Sequence, residues 1–193
     1  MSLLVHKAAA LFDNETSDNW ESFLELTALK TAIADKWYKQ LQDSVKEHFK
    51  GESWSDWKYR FYKDRSFCYY LENDGINSLS LWFEDGVLSL WVNEAIYDPA
   101  EIVKKYKNSK LFTSWFDSSE IIQSGGYLAK RYNAIKIDGR TDSDYLAWYA
   151  ASGHGGHNQM VDQVCRYFEH FMSDSELIEI IRKINQEIRP SRA

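Results

Sequence analysis

Apolar residues recur every four positions at Leu29, Ile33, Trp37, Leu41, Val45 and Phe49, the spacing of one helix face. A four-residue step overshoots a full helical turn by about 40°. The stripe therefore wraps around the helix and cannot lie flat on one partner. Asp18 with Glu21 reads as a capping box at its start, and Gly51 as its C′ residue. The preceding Ser2–Leu11 reads as a short helix packing on the same body.

The periodicity then switches to two. Trp57, Tyr59 and Phe61 alternate with Lys58, Arg60 and Tyr62, a strand pattern. Phe67–Glu72 forms a second strand, and Asn73-Asp74-Gly75 supplies turn chemistry. Ser78–Glu84 and Val87–Asn93 flank Asp85-Gly86, the strongest short-range hairpin signal in the chain. A two-residue turn there pairs Glu84 with Val87, Phe83 with Leu88, Trp82 with Ser89, Leu81 with Leu90, Ser80 with Trp91 and Leu79 with Val92. One face of this hairpin is Leu79, Leu81, Phe83, Leu88, Leu90 and Val92, which must be core. The other holds Ser80, Trp82, Ser89 and Trp91, with the two indoles as diagonal neighbours. Both faces are partly apolar, so either helices cover both or the tryptophan face binds something.

Asp98-Pro99-Ala100-Glu101 is a helix start, with a cap, proline in the first turn and an acid at the third position, for a helix reaching about Lys107. Leu111–Ile122 fits neither period cleanly. Ser124-Gly125-Gly126 is a turn before a candidate fifth strand in Tyr127–Ile137. Helices follow from Thr141 to Gly153 and from about Asn158 to Met172. A last helix opens on Ser173 with Glu176 and stops at Pro190. The expected fold is one α+β domain over residues 1–193. It has an antiparallel β-meander of about four strands, a candidate fifth, a long N-terminal helix and a C-terminal group of helices.

Composition changes this picture in three ways. A net charge of −6 gives no overall positive field to gather nucleic acid or anionic membrane. The two cysteines, Cys68 and Cys165, suit a reducing cytosol better than a disulfide framework, and read as buried structural thiols. Neither a signal-peptide pattern nor a run of about 20 apolar residues is present, so the expected location is cytoplasmic, with no membrane. Aromatic residues reach 16% of the chain, with eight Trp and twelve Tyr, enough to supply interface anchors as well as core.

The candidate chemistry is sparse. Ser152-Gly153-His154-Gly155-Gly156-His157 lies between two expected helices. Its glycine amides could approach an anion, and His154 and His157 could ligate a metal with Asp162, Cys165 or His170 as a third ligand. The spacing matches no standard zinc signature, and the competing reading is a flexible turn with solvated histidines. The order of helix, antiparallel strands, helix and strand resembles the core of restriction-endonuclease-like nucleases. That resemblance implies a Glu-x-Lys on the strand after the hairpin to hold Mg²⁺, and Val87–Glu94 has none. Walker A, Rossmann, His-Glu-x-x-His and Gly-x-Ser-x-Gly motifs are also missing. Trp54–Arg65 interleaves rings with cations, but alternation sends Lys58 and Arg60 to one face and Trp57, Tyr59 and Phe61 to the other, which disfavours base stacking. The positive face instead protects a sheet edge. Lys104, Lys105, Lys107 and Lys110 read as a solvated helix face, and Asp13, Glu15, Asp18, Glu21 and Glu25 as helix N-terminal charge or a surface for a basic partner.

The sequence therefore points to a small acidic, non-catalytic protein that binds another macromolecule, a protein ahead of a nucleic acid. The profile is that of an accessory, inhibitor or immunity-type protein. Trp82, Trp91, Lys58 and Arg60 are the binding candidates, and no metal or cofactor is assigned. The alternative is a divergent hydrolase or nuclease-like enzyme using the Gly/His loop 153–158, with His154 and His157 as catalytic candidates.

Overall fold

The structure is a computed structural model and describes residues 17–62, 65–137, 139, 141 and 156–187. In chain order its elements begin with helix α1 (Ser17–His48), a 3₁₀ turn (Glu52–Trp54), β1 (Trp57–Tyr62), β2 (Ser66–Leu71), β3 (Ser80–Glu84) and β4 (Val87–Trp91). Helices α2 (Pro99–Tyr106) and α3 (Lys110–Thr113) follow, then a 3₁₀ turn (Ser118–Glu120), β5 (Ile121–Ser124), β6 (Tyr127–Arg131), α4 (Gly156–Met172) and α5 (Ser175–Glu187). The six strands form one antiparallel sheet in the order β1-β2-β3-β4-β6-β5. The fold is α+β, as the change of period from four to two requires.

The Asp85-Gly86 turn sets the register expected of it. Glu84 pairs with Val87, Phe83 with Leu88, Trp82 with Ser89, Leu81 with Leu90 and Ser80 with Trp91. Asp85 stands at φ 47° and Gly86 at φ 87°, the left-handed pair that a tight hairpin turn needs. A second turn of this kind, Gly125 at φ 61° and Gly126 at φ 80°, joins β5 to β6. Strand β5 goes beyond the expected four or five strands, and it occupies one sheet edge.

Phe67, Tyr69, Leu71, Leu79, Leu81, Phe83, Leu88, Leu90 and Val92 are all buried in one hydrophobic cluster with the helices. Phe168 of α4 meets Phe67 at 5.7 Å and Tyr69 at 5.0 Å between ring centroids, and Tyr38 of α1 meets Phe83 at 6.1 Å. The Tyr167 hydroxyl, fully buried, donates to the Ser89 carbonyl at 2.6 Å and bolts α4 to the middle of the sheet.

The α1 stripe differs from the expected one. Among the described residues its buried apolar positions are Ala34, Tyr38, Leu41 and Val45, followed by Phe49 just past its end, in steps of four, three, four and four, while Leu29 is 52% exposed and Trp37 half-buried. Mixed steps keep the stripe in line, so the helix needs no kink to bury it. Helix α1 ends at His48, and Gly51 at φ 147° leads into the 3₁₀ turn instead of capping the helix.

The cap of α5 is Asp174, whose Oδ1 accepts from the amides of Glu176 and Leu177 at 3.0 and 3.3 Å. Ser173 instead donates its hydroxyl to the Glu169 carbonyl of α4, so the expected cap is displaced by one residue. The Asp98 cap of α2 stands as expected. Apart from Thr141, the expected helix over Thr141–Gly153 falls on residues outside the described ones, as do the segment Ser2–Leu11 and the stop at Pro190. No helix among the described residues is long and apolar enough to cross a membrane.

Candidate functional site

Register decides which side chains share a face. Arg60 stands opposite Cys68, Cys68 opposite Trp82, Trp82 opposite Ser89 and Ser89 opposite Lys130, so these five cross the sheet in one row. The adjacent row runs Lys58, Tyr70, Ser80, Trp91 and Tyr127. The four binding candidates, Trp82, Trp91, Lys58 and Arg60, therefore meet on one face, opposite the Phe67/Phe83 face that carries the helices. The β1 cations stand on the face opposite Trp57, Tyr59 and Phe61, as expected from alternation, but the last β1 ring, Tyr62, shares their face and lies under Arg60. Tyr70, Trp82 and Trp91 of the neighbouring strands join that face, which alternation within β1 alone does not reveal.

This second layer is built from rings in mutual contact. Tyr62 stacks at 4.8 Å and 32° on Trp82, which meets Trp91 edge to face at 5.5 Å and 61°. The Arg60 guanidinium lies 5.0 Å from the Tyr62 ring centre, and the Lys130 ammonium 4.1 Å from that of Tyr127. Tyr62, Tyr70, Trp82, Trp91 and Tyr127 are each half-buried, and none belongs to the hydrophobic cluster under the helices. Two rims hold the layer in place. Trp91 Nε1–H donates to the Gly125 carbonyl at 3.1 Å, and the Tyr127 hydroxyl donates to Glu84 Oε2 at 2.9 Å. Lys58 reaches Glu72 at 3.1 Å.

Two polar atoms in this layer, Trp82 Nε1 and Ser89 Oγ, are buried with no hydrogen-bond partner among the described residues, and Ser89 is only 1% exposed. Each such buried group costs of order 1–3 kcal/mol, and the helix-bearing side carries them too, at the Tyr69 hydroxyl and Trp115 Nε1. Cys68 lies beneath it, fully buried, and burial pushes its thiol up to about 12, which keeps it protonated and unreactive at neutral pH. Burial likewise raises Cys165 to about 12.

The histidine loop reads differently. His154 lies outside the described residues. His157, on the first turn of α4, turns to α1: its Nε2 is 3.1 Å from Ser44 Oγ and its ring 6.3 Å from that of Trp37. Its Nδ1 is buried without a hydrogen-bond partner among the described residues, and burial holds its pKa below the usual value. His170 points elsewhere, 2.8 Å from Ser114 Oγ and against the Trp115 ring. Among the described residues no three His, Cys, Asp or Glu side chains stand close enough to hold a metal ion. Lys104, Lys105 and Lys107 are exposed on and just after α2, whereas Lys110 pairs with Asp174 and Glu176 at 2.6 and 3.1 Å.

No family model, no curated protein and no solved structure matches this chain.

Proposed function

We propose that this chain binds another protein through the sheet face of Trp82, Trp91, Lys58 and Arg60, as a non-catalytic accessory, inhibitor or immunity-type protein of the cytoplasm. The observation that supports this reading most is the ring layer itself. A sheet face that only has to meet water has no use for two Trp and three Tyr outside the core. Trp, Tyr and Arg are the residue types that anchor interfaces. These rings are already held by one another, so docking freezes few rotamers.

Selection of a displayed random-peptide library on the full chain tests this. The enriched ligands should lose about 30-fold or more in affinity, about 2 kcal/mol, in Trp91→Ala, and keep it in Lys104→Ala. Ligands indifferent to Trp82→Ala and Trp91→Ala would refute the assignment of this face. A second reading is favoured by one observation, the placement of Lys58, Arg60 and Lys130 among the rings: a single nucleic-acid strand stacked on them. Salt-dependent binding of a labelled thymidine oligonucleotide, lost in Arg60→Ala, would put that reading first.

A further inference from the structure

We infer that the outer edge of β1 takes up an extended acidic peptide segment of the partner as a seventh strand; the inference rests on the protein-binding reading and names the partner's chemistry. Strand β1 is at the end of the sheet, and among the described residues no strand pairs with its outer side. The Glu72 amide donates to the Asp56 carbonyl at 2.8 Å, one step before the Trp57–Leu71 pair. Antiparallel alternation from that bond turns Lys58, Arg60 and Tyr62 toward β2 and leaves the N–H and C=O of Trp57, Tyr59 and Phe61 facing outward.

The side chains along this edge specify what pairs with it. Lys58 and Arg60 are exposed on the tryptophan face. Arg60 makes no ion pair among the described residues, and Lys58 shares only the exposed Glu72. On the other face Phe61 is 47% exposed, while Lys46 of α1 lies 5.6 Å from the Tyr59 ring centre. A strand added here sets its residues directly beside these, so it carries acids on one face and apolar groups on the other. A second copy of this chain docked through its own β1 would put cations against cations, which excludes self-pairing. A groove of about 430 Å³ borders the edge, lined by Lys58, Arg60, Tyr70, Glu72 and Ile76; an incoming acid there faces Arg60 and competes with Glu72 for Lys58.

The test is a titration of ¹⁵N-labelled full chain with a blocked octapeptide alternating Glu and Val, followed by two-dimensional NMR. The expected result is saturable shifts of the amides of residues 57–62, with hydrogen exchange at Tyr59 and Phe61 slowed at least fivefold. The Lys/Val counterpart should bind at least tenfold more weakly, and the double variant K58E/R60E should reverse that preference. An octapeptide N-methylated on alternate residues should lose binding, because it cannot pair its backbone. Equal response to both charges, or no response in β1, overturns the inference. Shifts confined to the Trp82 and Trp91 indoles also overturn it while leaving the protein-binding face standing. An equal β1 response to a thymidine oligonucleotide overturns it in favour of a nucleic-acid partner.

Discussion

Trp82 and Trp91 sit on adjacent strands two pairing steps apart, and their rings meet edge to face at 5.5 Å. The contact is a direct product of the Asp85-Gly86 register, which opposes Trp82 to Ser89 and Ser80 to Trp91. The two serines leave room for the indoles to lean together. A slip of one residue would put both rings into the packed core and send Phe83 and Leu88 out. The same register therefore builds the core and the candidate face.

Because both rings are half-buried and outside the main cluster, removing either costs less than a core aromatic would. Trp82→Ala should lower stability by about 1–2 kcal/mol, against about 3–5 kcal/mol for Phe83→Ala beneath the helices. Urea melts of the two variants beside wild type read the difference. Equal losses would mean that the tryptophan face is packed as tightly as the core.

Gly126 holds the rim of that face. A Cβ there would run into the Val92 carbonyl and the Trp91 indole, at a backbone φ of 80°. Gly125, at φ 61°, would set its Cβ only against Tyr127 at 3.9 Å. Gly126→Ala should destabilise by about 3 kcal/mol and Gly125→Ala by about 1 kcal/mol. Thermal melts that rank the two in the opposite order would count against the Trp91–Gly125 rim.

Asn185, fully buried on α5, joins the helix to the β2–β3 connection. Its Oδ1 accepts from the Leu79 amide at 2.9 Å, and its Nδ2 donates to Asp74 at 2.7 Å. Asn185→Leu strands that amide and removes the bond to the carboxylate, for an expected loss of about 2–4 kcal/mol. A melt unchanged within error would show that the clamp carries no stability.

The elements legible in the sequence are those whose signal is local. Asp85-Gly86 fixes its own hairpin, and Asp98-Pro99 its own helix start, because turn and cap chemistry act within four residues. Strand β5 escaped because Ile121–Ser124 is four residues with no alternation. Its one signal was the Gly125-Gly126 pair, which reads as a hairpin turn only with strands on both sides. The α1 stripe was misplaced in its first half because Ala34 and Tyr38, not Leu29 and Trp37, are the buried positions, and apolar character alone does not rank them. The placement of Arg60 in one row with Trp82 depends on two successive pairings, β1 with β2 and β2 with β3. The second spans a connection of eight residues whose turn chemistry fixes no register.

His157 gives the account a pH dependence. Burial against α1 lowers its pKa in the folded state, so the unfolded chain binds the proton more readily. Its contribution to stability is therefore full above about pH 6.5 and falls as pH drops through that value toward the lower folded pKa. His170, also lowered chiefly by burial, acts in the same direction. Urea melts at pH 7.5 and pH 5.0 should show a smaller acid loss in His157→Gln than in wild type. An equal loss would place the acid sensitivity elsewhere.

The most direct measurement of the central claim uses the indole N–H signals of the ¹⁵N-labelled chain, titrated with a peptide selected on the intact protein without bias toward any face. Trp82 Nε1–H, without a hydrogen-bond partner among the described residues, and Trp91 Nε1–H, bonded to Gly125, should shift most. The indole of Trp115, packed against α4 on the opposite side, should stay in place. Shifts at Trp115 with Trp82 and Trp91 unmoved would contradict the claim that this chain binds its partner through the tryptophan face of the sheet.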